Sequence, residues 1–213
     1  MGRSLRPAKP SKSSLLASLA VVALIVAAIL DTTFLDPEGA ADVSAPTFSP
    51  AAFVDEEFPV IRDAMIENAV DISELAPAIA DDLDAAGEQF GVALGAGRYV
   101  FQVRASGSVE SVDDDFIELS IPDAPDADVR IPLGSALTGT PVRDATGDIQ
   151  FGDFPDQTAY QSVANEFKLK MQDEVLAELA PAELEGQQVT VVGAWVSGPP
   201  VFIIQPVAIE VSG

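Results

Sequence analysis

The pattern of apolar and polar positions divides the chain into four stretches. Residues 15–30 read LLASLAVVALIVAAIL, with Ser18 the only polar side chain, inside a charge-free run at 13–30. As a helix rising ~1.5 Å per residue, that run spans about 27 Å, close to a thin hydrocarbon core. Residues 31–47 are small and polar and carry Pro37, Gly39 and Pro46, the composition of a linker. Ser49-Pro50 then pairs an N-cap with proline at the first helical position. Phe53, Val54, Phe58, Ile61, Met65 and Ile66 follow at helical spacing. Shorter helices are expected over 71–79 and 83–90, so residues 48–96 read as a helical appendage to an extracytoplasmic domain at 48–213.

At Gly97 the period changes to alternation. Tyr99, Phe101, Val103 and Ala105 predict a half-buried strand, and Gly107 lets it bend. Asp113-Asp114-Asp115 marks a turn; Ile117, Leu119 and Ile121 predict a second strand, and Val129, Ile131 and Leu133 a third. A long helix follows, with Tyr160, Val163, Ala164, Phe167, Met171, Val175 and Leu179 on one face, closed by Pro181 and Gly186. A fourth strand at 188–196 and a fifth at 201–211, broken at Pro206, complete the chain. Three strands, a helix and two strands is the order of the OB-fold, a five-stranded partly open β-barrel whose helix joins strands three and four and plugs one end. The expectation is therefore an α+β chain with an OB-like barrel at 97–213. An α+β sandwich uses the same elements and stays open as the alternative.

Charge sharpens this picture. The 213 residues include 34 acids and 11 bases, a net charge of −23. Arg3, Arg6, Lys9 and Lys12 all precede the apolar run, and every acid follows it. The positive-inside rule thus keeps residues 1–12 in the cytoplasm, makes 13–30 a single-pass signal anchor in the cytoplasmic membrane, and exports the rest to the periplasm or its equivalent. A cleaved signal peptide is the rival, but Ile29-Leu30-Asp31-Thr32-Thr33 offers no small-x-small site directly after the run. Only seven bases remain to oppose the acids of the exported part, which excludes a basic face for nucleic acid. The sequence has no cysteine and no histidine. That removes disulfides, zinc sites built from those ligands, and the usual general base near neutral pH.

Phe151-Gly152-Asp153-Phe154, followed by Gln157, Tyr160, Val163, Ala164 and Asn165, resembles a signature of a prokaryotic family, domain of unknown function 2291. So do residues 139–144, Gly193-Ala194-Trp195 and residues 204–207. The resemblance covers about 48–211. It implies a periplasmic lipoprotein and, by association, an accessory role beside sugar ABC transporters of the ribose type. It supplies no catalytic residue. The family's lipid has no cysteine to attach to here, so the apolar run takes over the anchoring.

The candidate binding cluster is Arg143, Asp144, Asp153, Phe154, Gln157, Tyr160 and Asn165. Gln157, Tyr160 and Ala164 share a helical face, and a planar guanidinium beside carboxamides and a ring suits a sugar or a carboxylate. The plainer reading makes Asp153 or Asp156 a helix cap, Tyr160 part of the core and Arg143 an ion-pair partner. Asp113-Asp114-Asp115 lacks the spacing of a calcium loop and reads as a solvated turn. Trp195 reads as core. No phosphate loop, dinucleotide-binding glycine run, nucleophile elbow or Ser-x-x-Lys dyad is present, and no cofactor is implied. The expected function is a non-catalytic, membrane-anchored accessory or binding module. Its partners would be a transporter, a solute-binding protein or a small polar ligand. A structural interaction module and a carboxylate-based hydrolase are the alternatives.

Overall fold

The computed structural model describes residues 48–212. The expected anchor at 13–30 and linker at 31–47 lie outside them. Among the described residues no helix is long and apolar enough to cross a membrane. Ser49 caps α1 (Pro50–Asn68) by accepting from the Ala52 amide, as its sequence predicts. A two-residue strand, β1 (Val70–Asp71), leads into α2 (Ile72–Asp81) and α3 (Leu83–Phe90), capped by Asp71 and Asp82.

Residues 91–95, the tail of the expected helical appendage, form a strand, β2 (Gly91–Gly95), which turns back into β3 (Arg98–Val112). The short run Gly-Val-Ala-Leu-Gly carries no period of its own. The turn settles its state: Gly95, Ala96 and Gly97 all adopt positive φ, a conformation two glycines make accessible. The long β3 pairs with β4 (Phe116–Ser120), and β4 with β5 (Asp128–Pro132), both antiparallel. After α4 (Thr140–Asp144) and α5 (Gln157–Lys170), the helix widens into a π-turn over Met171–Leu176. β6 (Gln188–Val196), β7 (Val201–Ile203) and β8 (Gln205–Ser212) follow.

The hydrogen-bonded order is β7-β5-β4-β3-β6-β8, with β1 and β2 added onto β3. Eight strands therefore replace the expected five, and the sheet is open, not a closed barrel. Its two ends, β7 and β8, are the halves of the expected fifth strand. The break falls at Ile204, whose amide donates to Arg130 of β5, and not at Pro206. Pro206 sits inside β8 beside a register shift against Val192 and Gly193. A ladder irregularity accepts a residue that lacks an N–H.

Two cores flank the sheet. Phe101, Val103, Ala105, Val189, Val191 and Trp195 face the inner one, where Ile72 and Leu75 of α2 are also buried. Trp195 lies on Phe101 and Phe202 and donates its indole N–H to the Val201 carbonyl at 3.0 Å. Val100, Val192, Ala194 and Val207 face the outer core beneath α1 and α5. The central strands are thus buried on both faces, not half-buried. The fully buried side chains of α5 belong to this outer core, so α5 covers the outer face of the sheet instead of plugging it, while α2 supplies Ile72 and Leu75 to the inner core.

Close approach fixes Gly139 at the start of α4: a Cβ there would collide with the Ala164 carbonyl and the Lys168 amide of α5. Gly139→Ala is expected to destabilise the domain by about 1–3 kcal/mol, measured by urea or thermal unfolding.

Candidate functional site

The site is built where α4 meets the first turns of α5. Asp156 caps α5 through the Ala159 amide at 2.8 Å. The segment before it folds into a 3-10 turn, Phe151–Asp153, closed by the Asp153 carboxylate on the Gln150 amide at 2.8 Å. Burying Phe154 against Phe48 and Phe53 seats this turn on α1 and its lead-in; Phe154 and Tyr160 are then 5.4 Å apart, centroid to centroid. Phe151 caps this chain of rings, edge-on to Tyr160 at 5.6 Å and 55% exposed.

Arg143 is only 6% exposed. Its Nε and Nη2 donate to the two carboxylate oxygens of Asp144 at 2.7 and 3.0 Å, and Nη1 donates to the Tyr160 carbonyl at 3.2 Å. The guanidinium carbon stands 3.6 Å from the centroid of the Tyr160 ring, a cation–π contact. The Tyr160 hydroxyl closes the cluster by donating to Asp144 at 3.3 Å. Burial, and then the Asp144 charge, push the Tyr160 phenol above its ordinary pKa, against the opposing pull of Arg143.

Of the residues singled out from sequence, Arg143, Asp144, Phe154 and Tyr160 form this packed unit. Gln157 joins Arg143, Tyr160, Thr140, Phe151 and Gln161 around a cleft of about 460 Å³. Asp153 is consumed in its local turn. Asn165 is exposed and lines a different depression with Ser135, Thr138 and Lys168. A second cleft, about 560 Å³, shares Thr140, Phe151 and Tyr160 with the first, runs to the β2–β3 hairpin and adds Leu94 and Arg98. Sequence reasoning missed both hairpin residues because it closed the helical appendage at 96 and began the barrel at 97, without pairing the residues on either side. The signal that would have found them is Gly95-Ala96-Gly97 followed by the alternating strand. The Asp113-Asp114-Asp115 turn is closed by its own first residue, whose carboxylate accepts from the Asp115 and Phe116 amides.

The arrangement presents two aromatic rings, two carboxamides one helical turn apart and a hydroxyl around a concave surface. That is equipment for binding. Removing the guanidinium while leaving Asp144 would strand a nearly buried charge. Arg143→Met is thus expected to cost about 3–5 kcal/mol in chemical denaturation, and the double change with Asp144→Leu distinctly less. Tyr160 and Tyr99, the latter raised by burial and by Asp84, are expected to ionise above the free amino acid in an ultraviolet absorbance titration. The fold favours the neutral phenol. Its contribution to stability is complete below about pH 10 and is lost as pH rises through the folded-state value.

No curated protein matches the chain. A crystal structure of an OB-fold protein from Thermotoga maritima superposes with a TM-score of 0.66 at 19% identity, covering 78% of this chain and 99% of that one. The likeness shows the fold alone: an α+β architecture with an OB-fold neighbour. The model of the family called predicted periplasmic lipoprotein, domain of unknown function 2291, matches residues 19–210, and the chain belongs to that family.

Proposed function

We propose that the protein is a non-catalytic binding module, tethered to the outer face of the cytoplasmic membrane by residues 13–30. In this reading it takes a small polar ligand in the cleft beside Arg143 and Tyr160 and works with a transporter or a solute-binding protein. The family description supports a place outside the cytoplasm and at the membrane. The observation that carries the ligand is the cleft lined by Thr140, Arg143, Phe151, Gln157, Tyr160 and Gln161. An aromatic floor with carboxamides at its rim is the usual chemistry for orienting a small polar molecule. Arg143 acts within it as a positioning residue, because its hydrogen bonds hold Tyr160 and Asp144 in place. No carboxylate lines this cleft, which favours binding over carboxylate-based hydrolysis. A partner of the sugar ABC transporter type suits a ligand of this polarity.

A second reading has one observation behind it. Ala76, Pro77 and Ile79 of α2 and Ala124, Pro125 and Phe202 line a mostly apolar groove of about 560 Å³. A groove of that character suits a docked protein segment.

The full chain, purified in detergent, is expected to show a saturable rise in melting temperature with one class of small polar compound from a panel of monosaccharides, organic acids and their amides. Ligand at a hundredfold its Kd adds about 2.7 kcal/mol. The joint change Gln157→Ala and Gln161→Ala is expected to abolish the rise while leaving the ligand-free melting temperature within a few degrees. Silence across the panel would transfer the function to the apolar groove and a protein partner.

A further inference from the structure

We infer that the ligand of the larger cleft is a small organic carboxylate, its charge met by Arg98 and its apolar body held against Leu94 and Phe151. The inference rests on the binding-module reading and extends it to the adjoining cleft, which shares Thr140, Phe151 and Tyr160 with the one proposed above.

Charge pairing carries the argument. Arg62 pairs with Asp63, Arg130 with Asp128 and Glu118, and Arg143 with Asp144; Arg104 donates to the Ile66 carbonyl. Only Arg98 among the five arginines has neither an acid nor a carbonyl partner among the described residues. In a chain with 34 acids, leaving one guanidinium unpaired keeps a binding position open. Lys168, which likewise has neither an acid nor a carbonyl partner among those residues, lines the Asn165 depression instead.

The position of Arg98 is as specific as its charge. It is the first residue of β3, directly after the left-handed turn at 95–97, so the hairpin fixes its backbone at the cleft. The only carboxylate in that lining is Asp144, and both its oxygens are already held by Arg143. The cleft therefore presents one uncompensated positive charge. Around it stand Leu94, 37% exposed, Phe151, 55% exposed, and the Thr140 hydroxyl.

That inventory discriminates among ligands. A neutral polyol would desolvate the guanidinium without supplying a counter-charge. A phosphate dianion would meet a single cation in a strongly acidic molecule, with no second base in the lining. A monocarboxylate matches the planar fork in charge and shape, and the apolar walls suit an aliphatic or aromatic body.

The test is titration calorimetry on the full chain in detergent, with isocaproate, phenylacetate and mandelate, each beside its neutral amide, and with ribose and inorganic phosphate. At least one acid is expected to bind roughly tenfold or more tightly than its amide, a charge-assisted contact being about twice as strong as a neutral one. In Arg98→Gln, a change on an exposed side chain, acid and amide are expected to bind alike; Arg98→Lys should keep part of the preference. Equal binding of acid and amide to the wild type, or a preference that survives Arg98→Gln, would overturn the inference. Ribose binding without any carboxylate preference would overturn it while leaving the cleft as a binding site. Phosphate binding in place of every carboxylate would overturn the ligand class. No binding by any probe would overturn it, while a rise in melting temperature that depends on Gln157 and Gln161 would still support the smaller cleft.

Discussion

Burial of both faces of the β3–β6 pair is the constraint on which the rest of the molecule depends. A sheet curled on itself hides one face and leaves the other wet. Here the outer face carries Val100, Val192, Ala194 and Val207, and these must be covered. Covering them requires α1 and α5, and α1 is reached only through the segment that precedes the OB-like strands. The helical appendage is therefore half of a second core, joined to α5 through contacts such as Phe58 with Phe167. At about 25 cal/mol for each Å² of apolar surface removed from water, a core of that size decides the fold.

Once α5 is committed to the outer face, its first turn lies against α4, and the Arg143 cluster follows. Residues adjacent in sequence on a helix do not ordinarily face each other. Arg143 and Asp144 nevertheless form a two-point ion pair, with the Tyr160 ring 3.6 Å from the guanidinium carbon. Desolvating two charges offsets much of their attraction, so the pair contributes little net stability. What it contributes is position: α4, Tyr160 and the rim of both clefts are held in one arrangement.

Much of this was legible in the sequence where a strong period met a clear punctuation mark. Ser49-Pro50 starts α1, the alternation after Gly97 marks β3, and Asp156 caps α5 where the apolar stripe begins. The OB-like element order followed from those boundaries alone. Residues 91–95 were not legible, since five residues of glycine and small apolar side chains fit a helix or a strand equally until a partner strand decides. The outer core was also hidden. Gln102 keeps the alternation along β3 that suggests a wet outer face, yet it is accommodated there by donating to the Ala145 carbonyl at 3.0 Å. In the candidate site, sequence grouped Arg143, Asp144, Phe154, Gln157 and Tyr160 from their proximity along the chain. It also drew in Asp153 and Asn165, which spacing alone cannot separate from the cleft because both lie within a turn or two of it.

The acidic surface gives the last step. In a field this negative, a base tends to settle on a nearby acid, and among the described residues four of the seven bases, Arg62, Arg130, Arg143 and Lys170, have done so. Arg130 reaches Asp128 and Glu118, and Lys170 bridges Asp55 and Glu174, its pKa raised first of all by the hydrogen bond to Asp55. Arg98, which follows the left-handed turn, lines a cleft whose sole carboxylate is already held by Arg143. The buried pair at Arg143 and the unpaired base at Arg98 are thus two parts of one arrangement. With both oxygens of Asp144 held by Arg143, the lining offers Arg98 no free carboxylate.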